Sequence, residues 1–234
     1  MKRNILTTAD GSKTIQIEEW NEQYHSMHGA IQEAEHVFLK HGLLFLSEDV
    51  TLSRPALSAV ERSKGLSILE VGFGTGLNAF LTLLKADDFG LNIHYTGVEA
   101  FPVSSEEVHE LNYVEQLSAE SFQNAFDTMH ECSWETEHAI TSNFYLTKLR
   151  KDFGAIKVVE AFDLIYFDAF SPRVQPELWT ETIFKIMYNS LKPNGVLVTY
   201  SAKGDVRRAM QAVGFSVEKL PGPPGKREML RAIK

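Results

Sequence analysis

The stretch ILEVGFGTGLNAF, residues 68–80, constrains the fold more than any other part of the chain. An apolar run ends in Glu70, and glycines follow at every second position, Gly72, Gly74 and Gly76. Apolar residues then recur at helical spacing, at Leu77, Phe80, Leu81 and Leu84. Glycine reaches positive φ and lets another group approach the backbone closely, so this is a sharp turn between a buried strand and a helix. The chain repeats the alternation. NIHYTGVEA reads as the next strand, and its helix opens at Ser104 with Glu107 three residues on, a capping box, with Val108, Leu111 and Val114 facing inward. NFYLTKL and FDLIYFDAF are further strands, the second apolar enough to be covered on both faces. PELWTETIFKIMYNSL and GDVRRAMQAVG read as helices around the strand GVLVTYS, and FSVEKLPGPPGKREMLRAIK as two strands joined by a Gly/Pro loop. The pattern predicts an α/β fold, a mostly parallel doubly wound sheet ending in an antiparallel hairpin, with ligands at the carboxyl ends of its strands.

Residues 1–60 read as a small α+β module ahead of a main domain over 61–234. ILTTADGSKTIQI gives two strand-like runs around Asp10-Gly11, a hairpin signal. GAIQEAEHVFLKHG is a helix with Ile31, Ala34 and Phe38 on one side and Gly42 placed to stop it. Polar residues between Ser58 and Lys64 lead into the main domain. Residues 120–142 show no readable role, and Trp134 and Trp179 read as packing.

Charge separates two functional classes only partly. The net charge of −8 argues against a general nucleic-acid binder, but residues 201–234 carry eight Lys/Arg against three acids. That segment is +5 and the remainder −13. It is either a solvated basic end or a phosphate-contacting face. No apolar run approaches the roughly 20 residues that span a bilayer. The start MKRNILTTADGSK lacks the apolar core of a secretory signal, and Cys132 is the sole cysteine, so a reducing cytoplasm is expected.

The turn also bears on chemistry. Dinucleotide folds use G-x-G-x-x-G to seat a pyrophosphate, which speaks against a nicotinamide oxidoreductase here. The spacing in this chain is G-x-G-x-G after Glu70, whose carboxylate would repel phosphate but suits a ligand with an ammonium and a sulfonium. Glu99 ends the next strand 23 residues after Gly76, close to the spacing of a carboxylate that grips ribose hydroxyls. E-x-G-x-G-x-G resembles the first motif of Rossmann-like class I methyltransferases, which implies S-adenosylmethionine as cofactor. Asp168 stands at the end of FDLIYFD, over the same sheet edge, followed by Phe170, Ser171 and Pro172. It is either a strand-ending cap or a group that aligns a neutral amine and accepts its N–H hydrogen bonds, with Phe170 and Pro172 walling the acceptor.

FDLIYFDAFSPRVQPELWTETIF, GVLVTYSAKGDVRRAMQAVGF, GPPGKREML and YHSMHGAIQEAEHVFL, together with LEVGFGTGLN, resemble the methyltransferase half of the MnmC family of tRNA wobble-uridine modification enzymes over most of residues 15–234. The resemblance implies methylation of the 5-aminomethyl group of 2-thiouridine at the wobble position of tRNA. With 234 residues, the expectation is a free-standing, MnmD-type methyltransferase without the family's flavin-dependent oxidase half. It would act in the cytoplasm, as a monomer, without a metal; His25, His28 and His36 only superficially suggest metal spacing. The alternatives are a methyltransferase for another amine, on a small molecule or protein, and a non-catalytic RNA-binding partner. Many methyltransferases carry Gly-Asp after the strand equivalent to NFYLTKL; this chain has Lys151-Asp152, leaving Asp152 as an adenine contact or a solvated loop acid. Tyr24, Ser26 and Glu33 either fold over the cofactor or form a polar surface. Lys226, Arg227 and Arg207 are candidate tRNA phosphate contacts, with Glu228 an ion partner beside the first two.

Overall fold

The computed structural model describes residues 2–46 and 65–234. β1 (Arg3–Thr7) and β2 (Lys13–Ile17) form the hairpin around Asp10-Gly11, and β3 (Glu22–Gln23) adds a short third strand. Gly11 lies at φ +84°, while Asp10 Oδ1 accepts hydrogen bonds from Thr8 Oγ1 and the Ser12 amide, which closes the tight turn. α1 (Ala30–Ala34) continues as π-helical turns over Glu35–Leu44. Gly42 does not stop this helix. It sits where the helix lies against the main sheet, and a Cβ there would stand 3.1 Å from Val198 Cγ2 and 3.2 Å from Tyr166 Cε1. A residue read as a terminator is a close-approach point.

The main sheet contains β4 (Leu66–Val71), β5 (Ile93–Val98), β6 (Glu137–Ala139), β7 (Phe144–Leu149), β8 (Phe162–Phe167), β9 (Leu191–Thr199), β10 (Ser216–Pro221) and β11 (Glu228–Ile233). Their order is β10-β11-β9-β8-β4-β5-β7-β6. The five central strands are parallel; β6, β11 and β10 run antiparallel to their neighbours. The chain enters at β4, builds outward through β5 and β7, then returns to the other side of β4 with β8 and β9. The direction of winding reverses between β4 and β8, the place where open α/β sheets bind ligands.

Helices α2 (Leu77–Phe89), α3 (Ser105–His109), α4 (Tyr113–Gln116), α5 (Gln123–Glu131), α6 (Glu181–Ser190) and α7 (Gly204–Ala212) cover the two faces. α2 ends at Gly90, φ +61°, whose amide and that of Leu91 return to the Ala86 carbonyl. The capping box at Ser104 forms, but the expected inner face of Val108, Leu111 and Val114 is broken, with Val108 in α3, Val114 in α4 and Leu111 between them. Asn112 is the physical reason. Its side chain accepts from the Lys13 amide (2.8 Å) and donates to the Gly11 carbonyl (3.0 Å), tying the break to the N-terminal hairpin. The unread stretch 120–142 supplies α5 and the edge strand β6.

Each face of the sheet has its own apolar core. Phe38, Leu43, Ile68, Phe80 and Phe126 share one; Phe167, Phe184, Met187 and Met210 share the other. Each fully buried side chain of this size contributes about 1.5–3 kcal/mol. The helix from Ala30 thus packs into the main core. The expected boundary between residues 60 and 61, and the polar stretch Ser58–Lys64, lie outside the described residues. No helix among the described residues is long and apolar enough to cross a membrane.

Candidate functional site

All three glycines of the turn adopt positive φ: +94° at Gly72, +49° at Gly74 and +73° at Gly76. At Gly72 the requirement is also steric, because a Cβ would stand 2.6 Å from the Asp168 carbonyl oxygen. The β4 and β8 exits are locked together there, with the Asp168 amide donating to the Val71 carbonyl at 2.9 Å. The Gly72 and Phe73 amides both donate to the Val98 carbonyl, at 3.0 and 3.1 Å. Thr75 accepts from the Tyr113 hydroxyl (3.0 Å) and lies 3.4 Å from His25 Nε2. Burial lowers the His25 pKa to about 4, so its ring is neutral near pH 7. The turn is held from both sides by the protein's own groups.

Glu99 follows β5 and is fastened at both oxygens, Oε2 by the Gly74 amide (3.1 Å) and Oε1 by the Phe101 amide (2.9 Å). A carboxylate has about four lone-pair sites, so two remain for a diol. Asp168 is joined to Glu70 through Asn78, whose amide nitrogen donates to Glu70 Oε1 and to Asp168 Oδ2, 2.8 Å each. Glu70 is 1% exposed and lies beneath the turn, not in the cavity wall. Burial, and then the charge of Asp168, pushes its carboxyl well above the usual range. Burial likewise raises Asp168 to about 7, with Glu33 adding to the rise and the Asn78 hydrogen bond and Lys226 opposing it. Asn78 was missed in the sequence. Its one signal there is a polar amide on the second position of a helix whose first turn is otherwise apolar.

A cavity of about 730 Å³ opens at this sheet edge. Its wall brings together the Gly72–Thr75 turn, Glu99, Asp152, Asp168, Phe170 and Lys226. Asp152 is exposed at the rim beside buried Phe153. Phe170 is wedged edge-on between Trp20 and Tyr24, with ring centroids at 5.4 and 4.9 Å. The loop that carries it is tied by Trp179 Nε1 donating to the Phe170 carbonyl and by the Tyr200 hydroxyl donating to the Ala169 carbonyl. Pro172 lies outside the wall. Tyr24, Ser26 and Glu33 all line it.

The basic candidates separate. Lys226 points into the cavity, ion-paired with buried Glu33 and 3.9 Å above the Tyr200 ring. Arg227 is exposed outside, and Arg207 is half-buried on α7. Glu228 pairs with Lys219 at 2.7 Å instead of with Lys226 or Arg227. His36 bonds the Pro221 carbonyl while His25 faces Thr14 and Thr75; among the described residues no three His, Cys, Asp or Glu groups gather to hold a metal. Behind Phe73 and Gly74 lies a second cavity of about 520 Å³, where the buried Lys148 ammonium donates to the His130 carbonyl at 2.6 Å and faces the Trp134 ring.

The residues present fit a cationic, adenosine-bearing donor. Gly72 and Gly74 present backbone without side chains to the cavity, and Glu99 retains acceptor sites. The charged groups of the wall are six carboxylates (Glu22, Glu33, Glu99, Asp152, Asp168, Glu177) against Arg3 and Lys226. A wall this acidic repels a pyrophosphate, and with the switch-point placement it defines a Rossmann-like methyltransferase. The chain belongs to the S-adenosyl-L-methionine-dependent methyltransferase family whose model matches residues 109–234, and its cofactor is S-adenosylmethionine. The chain is similar to the tRNA 5-methylaminomethyl-2-thiouridine biosynthesis bifunctional proteins MnmC of Paraburkholderia phymatum (30% identity over 228 residues, 90% of this chain and 32% of that protein) and Hydrogenovibrio crunogenus (28% over 220 residues, 90% and 31%). It spans about a third of the length of these relatives. The crystal structure of MNMC2 from Aquifex aeolicus superposes with a TM-score of 0.77 at 27% identity, covering 99% of this chain and 69% of that one. Spermidine synthase from Thermotoga maritima shares the fold alone, with a TM-score of 0.55 at 13% identity over 99% of this chain and 68% of that one.

Proposed function

We propose that the protein methylates the nitrogen of the 5-aminomethyl group on wobble 2-thiouridine of tRNA, giving 5-methylaminomethyl-2-thiouridine, in the cytoplasm. The observation that carries this reading is one continuous cavity, with Glu99 and the glycine turn in the same wall as Asp168, Phe170 and Lys226. The biosynthetic role named for the MnmC relatives supports the choice of acceptor.

When bound, S-adenosylmethionine supplies an electrophilic methyl group on a sulfonium. The chain's residues do the rest. Glu99 would hold the sugar hydroxyls, Asp152 and Phe153 the adenine, and the backbone at Gly72 and Gly74 the amino-acid tail. Glu70 acts indirectly, holding Asn78, which in turn aims Asp168. Phe170, braced by two rings, offers a face on which the acceptor base stacks. Asp168 accepts an N–H of the acceptor amine, and a pKa near the working pH lets it take the proton as well. Arg227 and Arg207, outside the cavity, are the candidate phosphate contacts, with Pro172 turning the acceptor loop.

The decisive experiment incubates the protein with methyl-labelled S-adenosylmethionine and tRNA bearing 5-aminomethyl-2-thiouridine, then digests the tRNA for nucleoside mass spectrometry. The expected product is labelled 5-methylaminomethyl-2-thiouridine. Label in small amines or protein, and none in tRNA, would replace the acceptor. On the donor side, Glu99→Gln loses a charged acceptor and is expected to weaken S-adenosylmethionine binding by about 10-fold or more, since a hydrogen bond to a charged group is worth about 1.5–3 kcal/mol. Calorimetric titration reads this directly.

A further inference from the structure

We infer that the Lys226–Glu33 ion pair is a positioning device that keeps the acceptor amine uncharged beside Asp168. The inference rests on the amine-acceptor reading above. An alkylamine is largely protonated near neutral pH, and an ammonium has no lone pair with which to attack. A carboxylate beside it makes this worse, because an opposite charge within about 4–6 Å favours the charged form. Asp168 alone would hold the acceptor in its unreactive state.

Lys226 supplies the counterweight. Its loop is pinned by the Lys226 amide donating to the Pro223 carbonyl (2.9 Å) and the Gly222 amide donating to the Arg227 carbonyl (3.1 Å). The ammonium reaches inward to Glu33 and the Tyr200 ring, and Glu33 is itself held by the Ser26 amide at 2.8 Å. A lysine reserved for tRNA phosphates would have no use for a buried carboxylate partner.

Two of the carboxylates around this point are ion-paired. Glu33 is matched by Lys226 and Glu22 by Arg173, while His25 is neutral and His28 lies against the Gly225 loop. Glu70 sits beneath Asp168 on Asn78, and Glu99, Asp152, Glu177 and Arg3 complete the charged groups of the wall. Lys226 is taken up by Glu33, and among the described residues Asp168 forms no ion pair of its own, its side chain being held by Asn78. Burial has already raised its affinity for a proton. The acceptor's proton then passes from nitrogen to an Asp168 carboxylate oxygen; an N–H bond breaks, an O–H bond forms, and the nitrogen keeps the electron pair. Without Lys226, two unmatched carboxylates would face the amine and hold that proton on it.

The test measures kcat/KM between pH 6 and 10 with tRNA bearing 5-aminomethyl-2-thiouridine. Alongside it, the pKa of the bound amine is read by NMR on the same tRNA labelled with 13C at the aminomethyl carbon. Lys226→Met is expected to raise the acid-side pKa of kcat/KM and the pKa of the bound amine together, by about one unit or more. Activity at pH 7 then falls about 5-fold or more and returns toward pH 9. Lys226→Arg keeps both pKa values near wild type, and the double variant Lys226→Met/Glu33→Gln brings them back because the charge balance is restored. An equal loss at every pH, with the bound amine unshifted, would overturn the inference. If Lys226→Met does not fold, Glu33→Gln alone carries the test: it should lower both pKa values, and no change would overturn the inference equally. Failure of the wild-type protein to methylate this tRNA at any pH is a different result, which removes the acceptor reading and this inference with it.

Discussion

Asp168→Asn is expected to lower kcat by about 10²–10⁴-fold, the usual contribution of a positioned general base, while donor affinity stays near its wild-type value. The substitution keeps the shape of the side chain and still offers Asn78 an acceptor oxygen, so the Glu70–Asn78 arrangement beneath the turn survives. What it removes is the ability to accept a proton. The same group sets a pH dependence whose sign follows from its pKa of about 7. Asp168 must be ionised to take the proton, so wild-type kcat/KM should decline as pH falls through 7. The asparagine variant should lack that inflection. Single-turnover methyl transfer from labelled donor, combined with calorimetric donor titration, separates the two effects. A variant that retains most of its kcat would remove Asp168 from the chemistry.

Gly72→Ala is expected to damage both stability and donor binding. The alanine methyl would stand 2.6 Å from the Asp168 carbonyl oxygen, a backbone atom that cannot swing aside, at φ +94°. Strain at such a φ costs about 1–3 kcal/mol, and the overlap adds a cost of similar size. Relief requires the β4 and β8 exits to part, which widens the cradle between the turn and Asp168, so donor affinity should drop along with the melting temperature. Gly90→Ala is the matched control. It also sits at positive φ, +61°, but a Cβ there meets nothing within 4 Å. Only the modest conformational cost should appear, with donor binding intact. Thermal melts and donor titrations on the pair distinguish a general glycine effect from the specific collision at Gly72.

The parts of this fold that could be read from sequence were those in which local pattern and tertiary structure agree. The glycine turn, the acids closing β5 and β8, the hairpin at Asp10-Gly11 and the terminal hairpin each combine a backbone need with a short-range pattern. The misreadings arose where distant contacts decide. Gly42 looked like a helix stop because nothing nearby shows that Tyr166 and Val198 lie against it. The break after α3 is set by Asn112 reaching across to the hairpin at Gly11, 101 residues away. Asn78 drew no notice because its two partners, Glu70 and Asp168, converge only in the folded sheet. Lys226 resembled a surface cation because its partner is 193 residues away. The sheet edge on which Asp168 and Glu99 lie followed from strand alternation; the direction in which a long side chain turns at that edge did not.

The contact between Gly42 and the sheet reaches further than packing. One continuous helical rod carries Glu33 near its start and Gly42 nine residues on, across the passage from α-helical to π-helical turns. The sheet surface acts as a fulcrum, and the missing side chain sets the height at which the rod rests on it. A methyl group added there would press on Val198 and Tyr166; where those side chains do not yield, the helix must move instead, carrying with it the carboxylate that steadies Lys226.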